Sequence, residues 1–299
     1  MISHIPYIGE ILSLSTALVW AFSVIIFRKC GESIHPIGLN LFKNTLAGLL
    51  LVPTLLLFNV PLLPSLPGPD YLIIFVSGIV GISIGDTFFF MSLNRLGAGL
   101  SAIVDCLYSP FVILLAFIFL EENLSLVQLL GVFLILSAVF FTSKKKTRAN
   151  VTKRDLWIGI ICGVLAMLSM AAGVVIVKPA LDRAPLLWSI TFRIYAGIAV
   201  LFLMLWLHPS RRTISRFHFP LVTWKYALIG SFFGAYVAVI LWLAGMKYTD
   251  TSIASALNQT SNVFIFILAA LLLKEPMNRQ RVMSIIAAFI GVLLVIGTS

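Results

Sequence analysis

Apolar residues run along this chain in long blocks, interrupted by short clusters of Pro, Gly and charge, and they do not alternate with polar positions. A helix that crosses the hydrocarbon core of a membrane needs about 20 mostly apolar residues, because each backbone N–H and C=O must be paired where no water reaches. The blocks predict ten such helices, near residues 8–27, 36–58, 70–92, 98–119, 125–142, 156–177, 186–207, 222–244, 251–273 and 280–297. Little chain is left between them. The fold class this predicts is an all-α integral membrane protein with ten transmembrane helices.

The segment 143–155 is the one clear hydrophilic linker, basic in character, and it divides the chain into 8–142 and 156–298. A cut so near the midpoint calls for a search for repeats. Shifting the second half back by 149 residues pairs Lys29 with Lys178, Pro36 with Pro185, Asn44 with Arg193, Ala47 with Ala196 and Gly48 with Gly197. A shift of 153 then pairs Gly81 with Gly234, Ala102 with Ser255, Asp105 with Asn258, Leu120 with Leu273 and Glu122 with Glu275. The halves read as two copies of one five-helix unit. Five is odd, so the second copy enters the membrane from the opposite side, giving a 5+5 inverted-topology repeat of the kind many secondary transporters use.

Composition agrees: 60% of residues are hydrophobic, 11% are charged, and the mean hydropathy is +1.08, far from soluble usage. The net charge of +10 is of the sign that attracts nucleic acid, but its distribution argues against that partner class, because the basic residues sit in short loops between apolar runs and build no soluble face. Sixteen Lys and Arg residues fall in or beside the loops after helices 1, 3, 5, 7 and 9, against Lys178, Arg183 and Lys247 on the other side. By the positive-inside rule the first set is cytoplasmic and both termini are outside. The segment 1–9 has no Lys or Arg ahead of its apolar run and no small-residue cleavage site after it, so residues 8–27 read as a first membrane helix. Cys30, Cys106 and Cys162 have no ligand spacing and read as packing residues. No metal site, cofactor fingerprint, Walker loop or nucleophile elbow is present in the pattern, which argues against an enzyme and against ATP-driven transport.

The stretch from Gly99 to Glu122 contains small residues, then Ser109-Pro110, then an apolar run closed by Leu120-Glu121-Glu122. Its copy from Ser252 to Glu275 ends in Leu273-Lys274-Glu275 but has Asn262-Val263 in place of Ser-Pro. In these motifs the chain resembles the EamA-type branch of the drug/metabolite transporter superfamily, over 10–142 and 155–298. The resemblance implies a ten-helix carrier with a central cavity that moves metabolites, amino acids or drugs, often outward, across a bacterial inner (plasma) membrane. It also implies cytoplasmic termini, opposite to the charge count, and a kink at the proline that the second copy lacks. The expected partners are a small-molecule substrate and the lipid bilayer, with the chain acting as a monomer or homodimer. A non-transporting channel or accessory protein remains the alternative.

Ionisable groups inside apolar spans carry the most information, since each is costly at the bilayer centre unless it pairs or faces water. Lys43, Asp86, Asp105 and Arg193 qualify. At ~1.5 Å of rise per residue, Lys43, Asp86 and Asp105 reach a similar depth, roughly 10–14 Å from the basic loops. Lys43 can neutralise only one of the two carboxylates, which leaves the other to hold a proton, or to bond a neighbour such as Tyr108 or Asn44. The second copy offers Arg193 with Asn258, Gln259 and Asn262. An amphoteric solute suits this asymmetry, its ammonium toward Asp86 or Asp105 and its carboxylate toward the planar fork of Arg193. The candidate substrate or coupling residues are therefore Lys43, Asn44, Asp86, Asp105, Tyr108, Arg193, Asn258, Gln259 and Asn262. Trp20, Trp188, Tyr195, Tyr236 and Trp242 are aromatics that packing, a membrane interface or a cavity could each claim. Gly78, Gly81, Gly85, Gly230 and Gly234 read as helix contact points, and Lys29, Lys178, Glu122 and Glu275 as shared structural positions.

Overall fold

A computed structural model describes residues 7–120, 125–143, 152–215, 221–249, 251–275 and 277–296. Among these residues the protein is all helix, with no strand. The long helices are α1 (Ile8–Cys30), α2 (Pro36–Leu57), α3 (Gly68–Leu96), α4 (98–120), α5 (Leu126–Ser143), α6 (Lys153–Arg183), α7 (Leu186–Leu207), α8 (Leu221–Tyr248), α9 (Thr251–Leu272) and α10 (Arg279–Ile296). Seven of them, α1 to α4 and α6 to α8, are long and apolar enough to cross a membrane among the described residues. Leu49, Leu56, Leu57, Phe119, Phe133, Phe202, Trp206 and Leu271 are all exposed, an outer surface suited to lipid and not to water.

Local chemistry sets the helix ends. Pro36 opens α2 at a position where a missing N–H costs nothing, with His35 Nδ1 accepting from Ile37 N at 3.3 Å. Thr152 caps α6 by accepting from Asp155 N at 3.0 Å. Gly97, at φ 81°, makes the sharp turn from α3 into α4. The sequence expectation ended the sixth helix at 177, before Lys178-Pro179, but α6 runs on to Arg183. Its last turn is held from outside: Lys247 Nζ donates to the carbonyls of Leu181 and Ala184 at 3.0 and 2.9 Å, and Arg183 binds Asp70 of α3 through Nε and Nη2 at 2.9 and 2.6 Å.

α4 breaks at Cys106 and Leu107, giving helical segments Ala98–Asp105 and Tyr108–Leu120. Pro110 is the cause, since it has no N–H for the Cys106 carbonyl four residues back and its ring crowds that carbonyl. In α9, which the 153-residue sequence shift pairs with α4, Val263 stands at the proline position and the helix is continuous from Thr251 to Leu272. Two wide π-helical turns, unanticipated from sequence, lie in α3 at Ile79–Gly85 and in α8 at Phe232–Val237.

α1 packs along α8 and α9 while α6 packs along α3 and α4, α2 crosses α7, and α5 lies along α10. Helix ends sort onto two faces. On one, the His35 and His208 rings lie 5.2 Å apart, Lys29 sits over Tyr226, and Glu275 reaches Ala98 and Gly99. On the other, Asp70 meets Arg183, Lys178 Nζ donates to Met246 O at 2.7 Å, Thr249 Oγ1 donates to Glu10 at 3.2 Å, and Trp188 Nε1 donates to Leu62 O at 2.8 Å. Among the described residues, the first face carries Arg28, Lys29, Arg95, Arg211 and Arg212.

Candidate functional site

A cavity of about 160 Å³ lies at mid-depth between α1, α2, α3, α4, α6, α7, α8 and α9. That is room for on the order of ten water molecules, or one small organic solute. All nine residues singled out from the sequence line it: Lys43, Asn44, Asp86, Asp105, Tyr108, Arg193, Asn258, Gln259 and Asn262.

Their connections are specific. Lys43 Nζ and Asp86 Oδ2 form a buried ion pair at 2.6 Å, with Lys43 Nζ also 5.7 Å from the centre of the Phe90 ring. Asn44 Nδ2 donates to Asn40 through its backbone and side-chain oxygens, at 2.9 and 2.7 Å. Asn40 Nδ2 in turn bonds Ile82 O at 2.9 Å and Thr87 Oγ1 at 3.0 Å, tying α2 to the π-helical turn of α3. That turn frees backbone carbonyls, and the Asn40 amide takes one of them up. At the α4 break, Gln259 Nε2 donates to Asp105 O at 3.1 Å and Asn262 Nδ2 lies 3.4 Å from Cys106 Sγ, while Asn262 also bonds Gln259 Oε1. One polar side chain of α9, Gln259, thus bonds α4 backbone beside the break, at Asp105 O, and a second, Asn262, meets the Cys106 side chain.

Other groups at the same cavity have no hydrogen-bond partner among the described residues: Asp105 Oδ1, Arg193 Nε and Nη1, and both amide atoms of Asn258. Arg193 is only 2% exposed and Asp105 6%. The sequence reading left open which carboxylate Lys43 takes; it takes Asp86. Asp105 bonds neither Tyr108 nor Asn44, and Arg193 forms no ion pair across the cavity among the described residues. Asp86, Lys43 and Arg193 line the same cavity, and the ion pair is between Asp86 and Lys43.

Of the aromatic candidates, Trp20 and Trp242 line the cavity. Trp188 is buried at the outer end of α7, stacked 4.9 Å from Phe192. Tyr195 bonds Gly48 O at 3.3 Å and Tyr236 bonds Thr54 at 2.7 Å, both between helices and away from the cavity lining. Glu275 closes α9 by accepting from Ala98 N and Gly99 N at 2.9 and 3.1 Å, an N-terminal cap across the two halves. Glu122 lies outside the described residues. Asn40, Thr87, Thr16 and Ser261 were missed from sequence; Asn40 stands one turn before Asn44 and Thr16 one turn before Trp20, the spacing that puts side chains on one helix face.

A family model described as the EamA-like transporter family matches the chain twice, at residues 7–144 and 157–297. An uncharacterized transporter of Archaeoglobus fulgidus is 22% identical over 294 residues, covering 96% of this chain and 97% of that one. The uncharacterized transporter YoaV of Bacillus subtilis is 26% identical over 117 residues, 39% of this chain and 38% of its own. A solved crystal structure superposes with a TM-score of 0.71 at 16% identity, covering 96% of this chain and 95% of the other, a likeness of fold.

Proposed function

The chain belongs to the EamA-like transporter family, and from that premise we propose that it is a secondary active carrier exporting a small amphoteric metabolite by alternating access. The coarser statement, a multi-pass membrane transporter, follows from the family itself. The finer one rests on a single observation: a buried guanidinium, a buried carboxylate and a carboxamide converge on one mid-membrane cavity with polar atoms that none of the described residues satisfies. Leaving a buried polar atom unpaired costs about 1–3 kcal/mol. Several around one cavity are a site for a polar guest. The guest's carboxylate goes to Arg193. Its ammonium goes to Asp105, because Asp86 is already engaged by Lys43, and the same reasoning makes Asp105 the proton-coupling acid.

We take the ten helices as two inverted copies of five. Support comes from the exchange of neighbours, α1 with α8 and α9 against α6 with α3 and α4, from the two family matches, and from the π-helical turns, which coincide under the 153-residue shift. The face bearing the basic loops is assigned to the cytoplasm of a bacterial cell.

Uptake into proteoliposomes tests the reading. Wild-type protein is expected to show saturable flux of an amphoteric amino acid, and Arg193→Lys to weaken carboxylate solutes roughly tenfold more than neutral analogues. Equal losses for both kinds of solute would remove Arg193 from recognition, and flux that never saturates would favour a channel.

A further inference from the structure

We propose that Trp242 and Gly81 are positioning residues that hold the Arg193 guanidinium uncommitted, with its N–H donors presented to the carboxylate of a solute carrying an apolar side chain. This deepens the carrier reading and rests on it.

Arg193 is long, charged and buried, and a carboxylate, Asp86, lines the same cavity. An unrestrained guanidinium there would swing to that carboxylate and close the site on itself. Among the described residues it does not: the Asp86 ion pair is with Lys43, and Arg193 Cζ instead lies 5.8 Å from the centroid of the Trp242 ring. The distinction between face and edge matters. An indole ring attracts the cation through its π-face without accepting a directed hydrogen bond, so the in-plane N–H groups remain available. Nε and Nη1 are without partners, as that account requires.

Gly81, in the π-helical turn of α3, fixes the opposite limit. A Cβ there would stand 3.3 Å from Arg193 Nη2, and one at Gly78 would collide with the Arg193 carbonyl oxygen. Arg193 is therefore seated on two glycines of α3, backbone against the first and guanidinium against the second. The rest of the lining decides what the solute's other end must be. Ile82, Phe89, Met170, Ile190, Ile194 and Leu243 surround the polar groups, a wall for an aliphatic or aromatic side chain and a poor one for a second charge.

The test uses the full chain, purified into nanodiscs, with L-leucine and L-leucinamide as probes. Both have the same side chain and an amine; only the first has a carboxylate. Wild type is expected to bind L-leucine in preference to the amide. Trp242→Ala and Gly81→Ala are expected to weaken L-leucine roughly tenfold while leaving the amide unchanged, and Trp242→Phe, which keeps a π-face, to stay within about threefold of wild type. Unaltered L-leucine affinity in Trp242→Ala, or equal losses for both probes, overturns the proposal. A probe-free readout separates it from the carrier reading. With 15N-arginine, the Arg193 Nε resonance, identified by its loss in Arg193→Lys, should move in Trp242→Ala as the ring current is removed. A resonance that stays in place overturns the positioning role whatever the cargo proves to be. If wild type transports other solutes yet prefers neither probe, the carrier survives and this inference falls.

Discussion

Lys43 and Asp86 stand 2.6 Å apart at a depth where either charge alone is costly, so each is the condition for the other. Lys43→Met strands the carboxylate, with an expected loss of about 3–5 kcal/mol that chemical unfolding in detergent will read. Pairing it with Asp86→Leu should restore most of the stability without restoring transport. At the loops, His35 supplies a different prediction. Burial and the neighbouring His208 hold its pKa below the ordinary 6.5, so the folded state favours neutral imidazole. Both rings also accept backbone N–H groups through Nδ1, from Ile37 and Ser210. Stability from this contact is complete above pH 6.5 and drains away as pH falls through the lowered pKa. Wild type should accordingly lose more melting temperature between pH 7.5 and 5 than His35→Asn does. The cavity residues were legible from sequence because a charge inside an apolar block has few structural excuses. Which charge meets which was not: depth along a helix follows from residue number, but rotation and neighbour identity do not, and they decide that Lys43 takes Asp86 and leaves Asp105.

Among the helices, the contrast between α4 and α9 carries the argument. Ser109-Pro110 breaks the first, Asn262-Val263 leaves the second whole, and Gln259 of α9 bonds the Asp105 carbonyl beside the break. Pro110→Ala gives the Cys106 carbonyl a helical partner. It should stabilise the protein by about 1–3 kcal/mol and slow transport, as melting curves and uptake rates together will show. The break was foreseeable, because proline chemistry is local. The π-helical turns were not, since Gly81, Gly85 and Gly234 read equally well as helix contact points, and only packing of α3 on Gly173 of α6 and Gly197 of α7 reveals the wider turn. The extension of α6 past Pro179 was hidden for a related reason: Asp70 and Lys247, distant in sequence, hold its last turn.

At the scale of the whole molecule, the proposed repeat draws support from the π-helical turns, which coincide under the 153-residue shift, and from the neighbours of α1 and α6, which are α8 with α9 for the first and α3 with α4 for the second. The order and approximate ends of the long helices could be read from hydropathy. The assembly of those helices into a cavity could not, because apolar faces are chemically alike and do not name their partners. What remains to be asked of the molecule is whether that cavity carries solute across a membrane at the expense of a proton gradient. The direct measurement is flux of labelled L-leucine in proteoliposomes under an imposed pH difference, for wild type and Asp105→Asn. The carrier account predicts saturable flux that follows the pH difference in wild type and loses that dependence in the variant. Flux that responds identically to pH in both proteins, or none for any amphoteric solute, would contradict it.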